Sequence, residues 1–228
     1  YRRAGGDLWP GRRAVTPARQ AAGIILALLV ALAAYYIPWT DHPTAGFTMN
    51  GFDLAEWVSL HPAVRASAPP MLASFWLRAP QVALAIGLAL AASMLADPRW
   101  RTVGWAAALL IALRFIPPAE FILSARGDPN YRQMALLTAI GVIGVGAAPI
   151  FSRRSGRWLA AGAALLLIGG AVAGWIGLSR AGVLLDNFAI AATVGSGPVL
   201  YTLAAGVAGL LAAWGFRARQ SQGTKKGD

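Results

Sequence analysis

Long apolar stretches separated by short polar turns dominate this chain. The apolar runs fall at about residues 20–37, 71–96, 102–124, 133–151, 158–178 and 198–216. An α-helix rises about 1.5 Å per residue, so about 20 apolar residues cross the ~30 Å hydrocarbon core of a bilayer. The pattern predicts an all-α, polytopic membrane helix bundle of about six transmembrane helices. A basic segment, 1–19, precedes the membrane domain 20–216, and a basic tail, 217–228, follows it.

The breaks carry turn chemistry. Pro98 stops a helix within Asp97-Pro98-Arg99-Trp100-Arg101, and Arg126-Gly127-Asp128-Pro129-Asn130 is a second turn. In the second run, Arg78 and Pro80 set the start of the hydrocarbon-buried part near Ala79. The third run is uninterrupted to Arg114. It then either ends at Pro117-Pro118 or continues through a kink to about Ser124, the boundary adopted here. Ser179 to Gly197 is less regular and reads as an interfacial helix plus a loop, with a re-entrant half-helix as the alternative.

Between the first two runs lies a polar loop, 40–70. Asn50 followed by Asp53 matches a helix N-cap with an acid in the first turn. Phe52 to Leu60 is therefore expected as a short interfacial helix, with Leu54, Trp57 and Val58 toward lipid or bundle.

Composition sharpens this picture. Of 228 residues, 57% are hydrophobic and 13% charged, against about 25% charged in soluble domains. Mean hydropathy is +0.56. The absence of cysteine excludes disulfides, thiolate metal sites and iron–sulfur clusters. The net charge of +11 is not read as a nucleic-acid footprint, since no basic stripe or motif accompanies it. It follows instead the positive-inside asymmetry. With the N-terminus inside, 14 of the 20 basic residues fall in the lead-in, the turns near Arg99 and Arg153, and the tail. Both termini are thus expected in the cytoplasm and the protein in the cell inner membrane. Eight of the nine tryptophans, Trp39 and Trp175 among them, fall near run ends or in the outer loop, where an indole suits the headgroup boundary. The chain opens on Tyr1, and the expectation is that the true N-terminus is missing or processed. Arg12-Arg13 before an apolar run reads as a signal anchor in preference to a cleaved twin-arginine signal.

Candidate chemistry is sparse. Asp41, His42, Asp53, Glu56 and His61 form an outer-loop polar cluster holding both histidines. Their spacing matches no zinc or copper pattern, so no metal is assigned and the loop is expected to be a structured cap. Arg114 and Glu120 are intramembrane charge candidates if the third helix continues past Pro117; otherwise Arg114 snorkels to the outer interface. Gly170 and Gly174 form a GxxxG pair, and Ala205 and Gly209 repeat its spacing, as helix-packing positions. No histidine lies within a run, which excludes a haem held by two helix histidines. Walker A, HExxH and GxSxG patterns are absent. Gly195-Ser196-Gly197 would need a base from the outer loop to act as an intramembrane serine site, and no catalytic residue or cofactor is assigned. Small and aromatic side chains would also admit a quinone or carotenoid, but plain helix packing explains them.

Three function classes follow. The leading one is a cofactor-free membrane subunit that scaffolds or anchors a larger complex with other membrane subunits. The second is a small transporter with a polar site near Arg114 and Glu120. The third is a membrane enzyme using the outer-loop histidines and carboxylates.

Overall fold

The computed structural model describes residues 17–43, 48–67, 71–152 and 156–223. The lead-in to residue 16, Arg153, Arg154 and the last residues of the tail lie outside the described residues. In chain order the elements are α1 (Pro17–Tyr35), β1 (Pro38–Asp41), β2 (Met49–Asn50), α2 (Gly51–Leu60), α3 (Pro62–Arg65), α4 (Ala73–Ala92) and α5 (Pro98–Leu113). There follow α6 (Glu120–Leu123), α7 (Pro129–Ser152), α8 (Gly156–Asn187), β3 (Thr193–Val194) and α9 (Gly197–Gly223). The protein is mostly helical. Five helices, α1, α4, α7, α8 and α9, are long and apolar enough to cross a membrane.

Helix ends follow local chemistry. Asn50 caps α2 by accepting from the Phe52 and Asp53 backbone N–H groups, both at 2.9 Å. Asp97 caps α5 by accepting from Arg99 N–H at 2.8 Å, with Pro98 in the first turn. Asp128 accepts from Asn130 and Tyr131 N–H at the start of α7. Beyond α8, Ala189 takes the left-handed conformation at φ 55°, and Ile190 N–H donates to Leu185 O.

Two sequence expectations need correction. The third helix does not run from 102 to 124. It begins at Pro98 and ends at Leu113, and the four-residue α6 is separate, because Pro117 and Pro118 carry no N–H to continue the ladder. Ser179 to Asn187 is neither a separate interfacial helix nor a re-entrant piece but the continuation of α8, which is 32 residues long. The fold is consistent with the expected all-α helical bundle, to which a minor feature is added. Three short antiparallel strands pair in the order β2-β1-β3, with Thr40 opposite Val194 and Asp41 opposite Thr193.

This small sheet marks one end of the bundle. The end of α1, the end of α8 and the start of α9 meet there, where Gly195 and Gly197 press on Pro38 and Trp39 with no room for a Cβ. At the opposite end Gln20 donates to Leu211 O at 2.9 Å, tying α1 to α9. α5 runs between the two ends. It begins a short turn after the end of α4, and at its middle Trp105 donates to Ser93 Oγ at 3.0 Å. Just past its end, the Arg114 guanidinium lies 4.4 Å from the Phe52 ring centroid at the sheet end.

α4 is the hub. It packs against α1, α2, α5, α7 and α8, while α9 packs on α1 and α8. The α4–α8 seam is built from small residues: a Cβ on Gly170 would meet Ala83, one on Gly174 would meet Trp39 and Pro80, and one on Gly177 would sit 2.6 Å from Leu77 N. Such close backbone approach supplies the dispersion contacts that hold helices together in lipid. Trp39 is fully inside, 1% exposed, its Nε1 donating to Ala34 O. It is therefore a core residue and not the headgroup anchor its position at a run end suggested.

Candidate functional site

Where α1, α2, α4, α5 and α7 converge at the sheet end, a polar cluster is enclosed by apolar side chains. Its centre is Arg78, on the second turn of α4. Arg78 is 0% exposed. Nη2 donates to Glu56 Oε1 at 2.7 Å, and Nη1 donates to Asn130 Oδ1 at 2.7 Å. Nε has no partner. Glu56 sits on α2 with its side chain 36% exposed, so the ion pair joins a sealed cation to a part-exposed anion. Asn130 is 8% exposed at the start of α7.

The cluster extends along the same face of α4. Ser74 donates to Gln133 Oε1 at 3.1 Å. Gln81, one turn beyond Arg78, donates from Nε2 to Tyr36 Oη at 3.2 Å, while its Oε1 is buried without a partner. Tyr36 and Phe52 form a tilted ring pair, with centroids 6.5 Å apart, and the Arg114 guanidinium lies over both. Arg114 is thus held by a cation–π contact at the bundle rim. Val82, Phe115 and Leu137 form the buried apolar floor, with Phe52, Phe75 and Ile86 packed against it. An uncompensated guanidinium costs about 2.5–3.5 kcal/mol or more at the centre of a spanning helix, and less toward its end. Here Glu56 and Asn130 offset that cost, and in doing so they fasten α2 and α7 to α4.

The candidate residues separate in the structure. Of the five outer-loop groups, Glu56 alone reaches Arg78. Asp53 accepts from Asn50 Nδ2 at 2.7 Å and belongs to the α2 cap. Asp41 accepts from Thr48 Oγ1 at 3.2 Å beside the sheet, and the His42 backbone bonds the same hydroxyl. His61 accepts from Ala63 N–H through Nδ1, capping α3, and its ring packs 4.5 Å from that of Phe188. Among the described residues no three His, Cys, Asp or Glu side chains converge on a point where a metal could sit. Arg114 and Glu120 are both exposed, lie on separate segments and form no ion pair. Ala205 is 1% exposed within the core, and a Cβ built on Gly209 would lie 3.6 Å from Ala164 Cα, in ordinary contact.

Arg78, Asn130, Gln81 and Tyr36 were not among the sequence candidates. The sequence did carry a sign of the first: an arginine five residues into a spanning helix demands a partner. Which acid supplies it depends on how the outer loop folds back. A second feature of the sheet end is an apolar cleft of about 250 Å³ between α8 and the sheet, lined by Trp175, Leu178, Leu185 and Val194 among others.

Comparison of the chain with protein-family models, with curated proteins and with solved structures returns no match.

Proposed function

We propose that this chain is a cofactor-free, multi-pass subunit of the inner membrane that scaffolds a larger membrane complex. It crosses six times, with α5 as the short crossing, α2 on the outer surface and both termini in the cytoplasm. The course of α5 from one end of the bundle to the other supports six crossings, and the arginine distribution supports the orientation.

The observation that carries the scaffolding reading is a set of unfilled glycines. A Cβ built on Gly146, Gly162, Gly169 or Gly206 meets nothing within 4 Å. Gly162 and Gly169 stand seven residues apart on an exposed face of α8 that also carries Leu165 and Val172. Glycine costs about 0.5–1 kcal/mol relative to alanine within a helix. A position that only faces lipid gains nothing in return, whereas one against another helix gains close approach. The glycines inside the α4–α8 seam show this bundle using the same device internally.

Purification in mild detergent, followed by mass spectrometry, is expected to recover at least one stoichiometric membrane partner. Gly169→Leu is expected to release that partner while leaving the chain's own thermal unfolding unchanged. A lone monodisperse monomer would overturn the reading. Transport through a site at Arg114 and Glu120 has weaker support, since both side chains are exposed and apart.

A further inference from the structure

The arginine at the centre of the polar cluster is bonded in an incomplete way. In a guanidinium, Nε–H and one Nη2–H point to the same side and form the edge that grips an oxyanion through two parallel hydrogen bonds. On Arg78 this edge is half filled. Nη2 holds a single oxygen of Glu56, and the adjacent Nε–H, fully buried, holds nothing. The opposite corner, Nη1, is taken by Asn130, so the guanidinium is fixed with its gripping edge toward α2. Leaving a buried charged donor without a partner costs about 1–3 kcal/mol or more.

Three further observations bear on what would complete the edge. Access runs past Glu56, whose side chain is 36% exposed while Arg78 is sealed. Arg78 lies five residues into α4, roughly 7 Å along the helix from its first residue at 1.5 Å per residue, and so near one end of the candidate span. The one carboxylate that contacts Arg78 is Glu56, with Asp128 bonded to the Asn130 backbone beside it, and Arg114, on the Phe52 and Tyr36 rings, is a second guanidinium at the same end of the bundle.

We propose that the Nε–Nη2 edge of Arg78 is a phosphate-binding site at the outer face, and that Glu56 is an internal competitor occupying part of it when no ligand is bound. The phosphate is either free or carried by an anionic lipid headgroup. On binding, two of its oxygens accept from Nε–H and Nη2–H while the Glu56 side chain swings toward water. Asn130 keeps its bond to Nη1 and holds the edge in place. Because α2 carries both Glu56 and Phe52, ligand entry loosens one of the ties that seat this helix on the bundle.

The test uses the full chain in phosphate-free, non-ionic detergent titrated with inorganic phosphate, and in nanodiscs of phosphatidylcholine with or without phosphatidylglycerol. Thermal unfolding is followed for the wild type, Glu56→Gln and Arg78→Lys. Phosphate is expected to raise the midpoint saturably. If Glu56 occupies the edge about nine-tenths of the time, Glu56→Gln half-saturates at about tenfold lower phosphate. Arg78→Lys keeps the charge but lacks the paired edge, and loses the response. A response confined to phosphatidylglycerol discs, with the same dependence on residues 56 and 78, assigns the phosphate to lipid. Failure of both the wild type and Glu56→Gln to respond to either probe overturns the proposal, as does a response that survives unchanged in Arg78→Lys. Should Arg78→Lys not fold, the Glu56→Gln titration decides alone: an unchanged half-saturation point overturns it.

Discussion

α4 and α7 are both apolar helices of membrane-crossing length, yet 72% of the spanning window of α4 is buried inside the bundle against 22% for α7. The more apolar of the two is the peripheral one. In water the order would be reversed, because burial there follows apolarity. In lipid the tails are as apolar as leucine, so hydrophobicity gives no reason to move a helix inward. What draws α4 to the centre is its need for partners. Arg78, Gln81 and Ser74 each require a polar contact, and the small residues on its other faces let α8, α1 and α5 come close. α7 supplies Asn130 and Gln133 to that cluster from its first turns; its remaining length turns Leu136, Ile140, Ile143 and Ile150 outward.

This contrast is most severely tested at Gly177. A side chain there would meet the backbone of α4 at Leu77 N and Trp76 C, and backbone cannot swing aside as a side chain can. Gly177→Leu is expected to cost about 3 kcal/mol or more, the upper end for overpacking, read as a fall in the midpoint of thermal or denaturant unfolding in detergent. A variant as stable as the wild type would show that α8 is not seated closely on α4. The matching change on the peripheral helix, Gly146→Leu in α7, meets open space and is expected to leave the isolated chain's midpoint within about 0.5 kcal/mol.

Next in size is the polar half of the hub. Arg78→Ala leaves Asn130 buried without its donor, while Glu56, being part-exposed, can turn to water. The expected loss is about 1–3 kcal/mol, set by the unsatisfied amide more than by a stranded charge. Protection of α2 amides from hydrogen exchange is expected to fall with it, since the ion pair is one of the ties of that helix. Unchanged exchange in α2 would show that its apolar face, Leu54, Ala55 and Val58, seats it unaided.

Much of α4's surroundings could be read from residues alone, and the part that could not has a definable cause. Apolar run length locates the spanning helices because a helix satisfies its own backbone within one segment of sequence. Caps such as Asn50 and Asp97 are equally local. The pairings that define the candidate site are not: Glu56 and Arg78 are 22 residues apart, Arg78 and Asn130 are 52 apart, and both bonds depend on tertiary folding. The sheet is invisible for the same reason, since Thr40 meets Val194 across about two-thirds of the chain and each strand is too short to show alternation. Of the group Asp41, His42, Asp53, Glu56 and His61, short-range capping claims Asp53, as the Asn50–Asp53 spacing indicates, and also His61, for which no such spacing is visible. The third helix was extended beyond Arg114 because apolarity resumes after the Pro117-Pro118 break, although the backbone ladder does not.

A smaller effect is expected where α9 touches the hub. Tyr201, 1% exposed, donates from Oη to Pro80 O at 3.0 Å. Pro80 lies inside α4 and has no N–H, so the ladder bond to the Trp76 carbonyl one turn earlier is missing, while Pro80 O gains the Tyr201 hydroxyl. Tyr201→Phe keeps the ring against Trp39 and removes the bond, leaving a buried carbonyl with one acceptor position unfilled. Interhelical hydrogen bonds in membranes average about 0.6 kcal/mol and reach about 1.7, and a value in that range is expected from unfolding of the variant in detergent. A loss above about 3 kcal/mol would mean that the hydroxyl holds more than this one bond.

The smallest change separates the lipid-facing surface from a hidden interface. Gly146 in α7 is exposed, and a methyl group placed there would meet nothing within 4 Å. Alanine there relieves the conformational freedom that glycine leaves in the helix, so Gly146→Ala is expected to stabilise the isolated chain by about 0.5 kcal/mol. The sign of the effect is more informative than its size. If α7 faces only lipid, the same gain appears in native membranes as in detergent. If a partner helix closes on this glycine in the assembled complex, the methyl group intrudes, and the gain measured in detergent turns into a loss of co-purifying partner. Measuring the variant both ways therefore asks whether the 22% burial of α7 belongs to the working protein or only to the chain on its own.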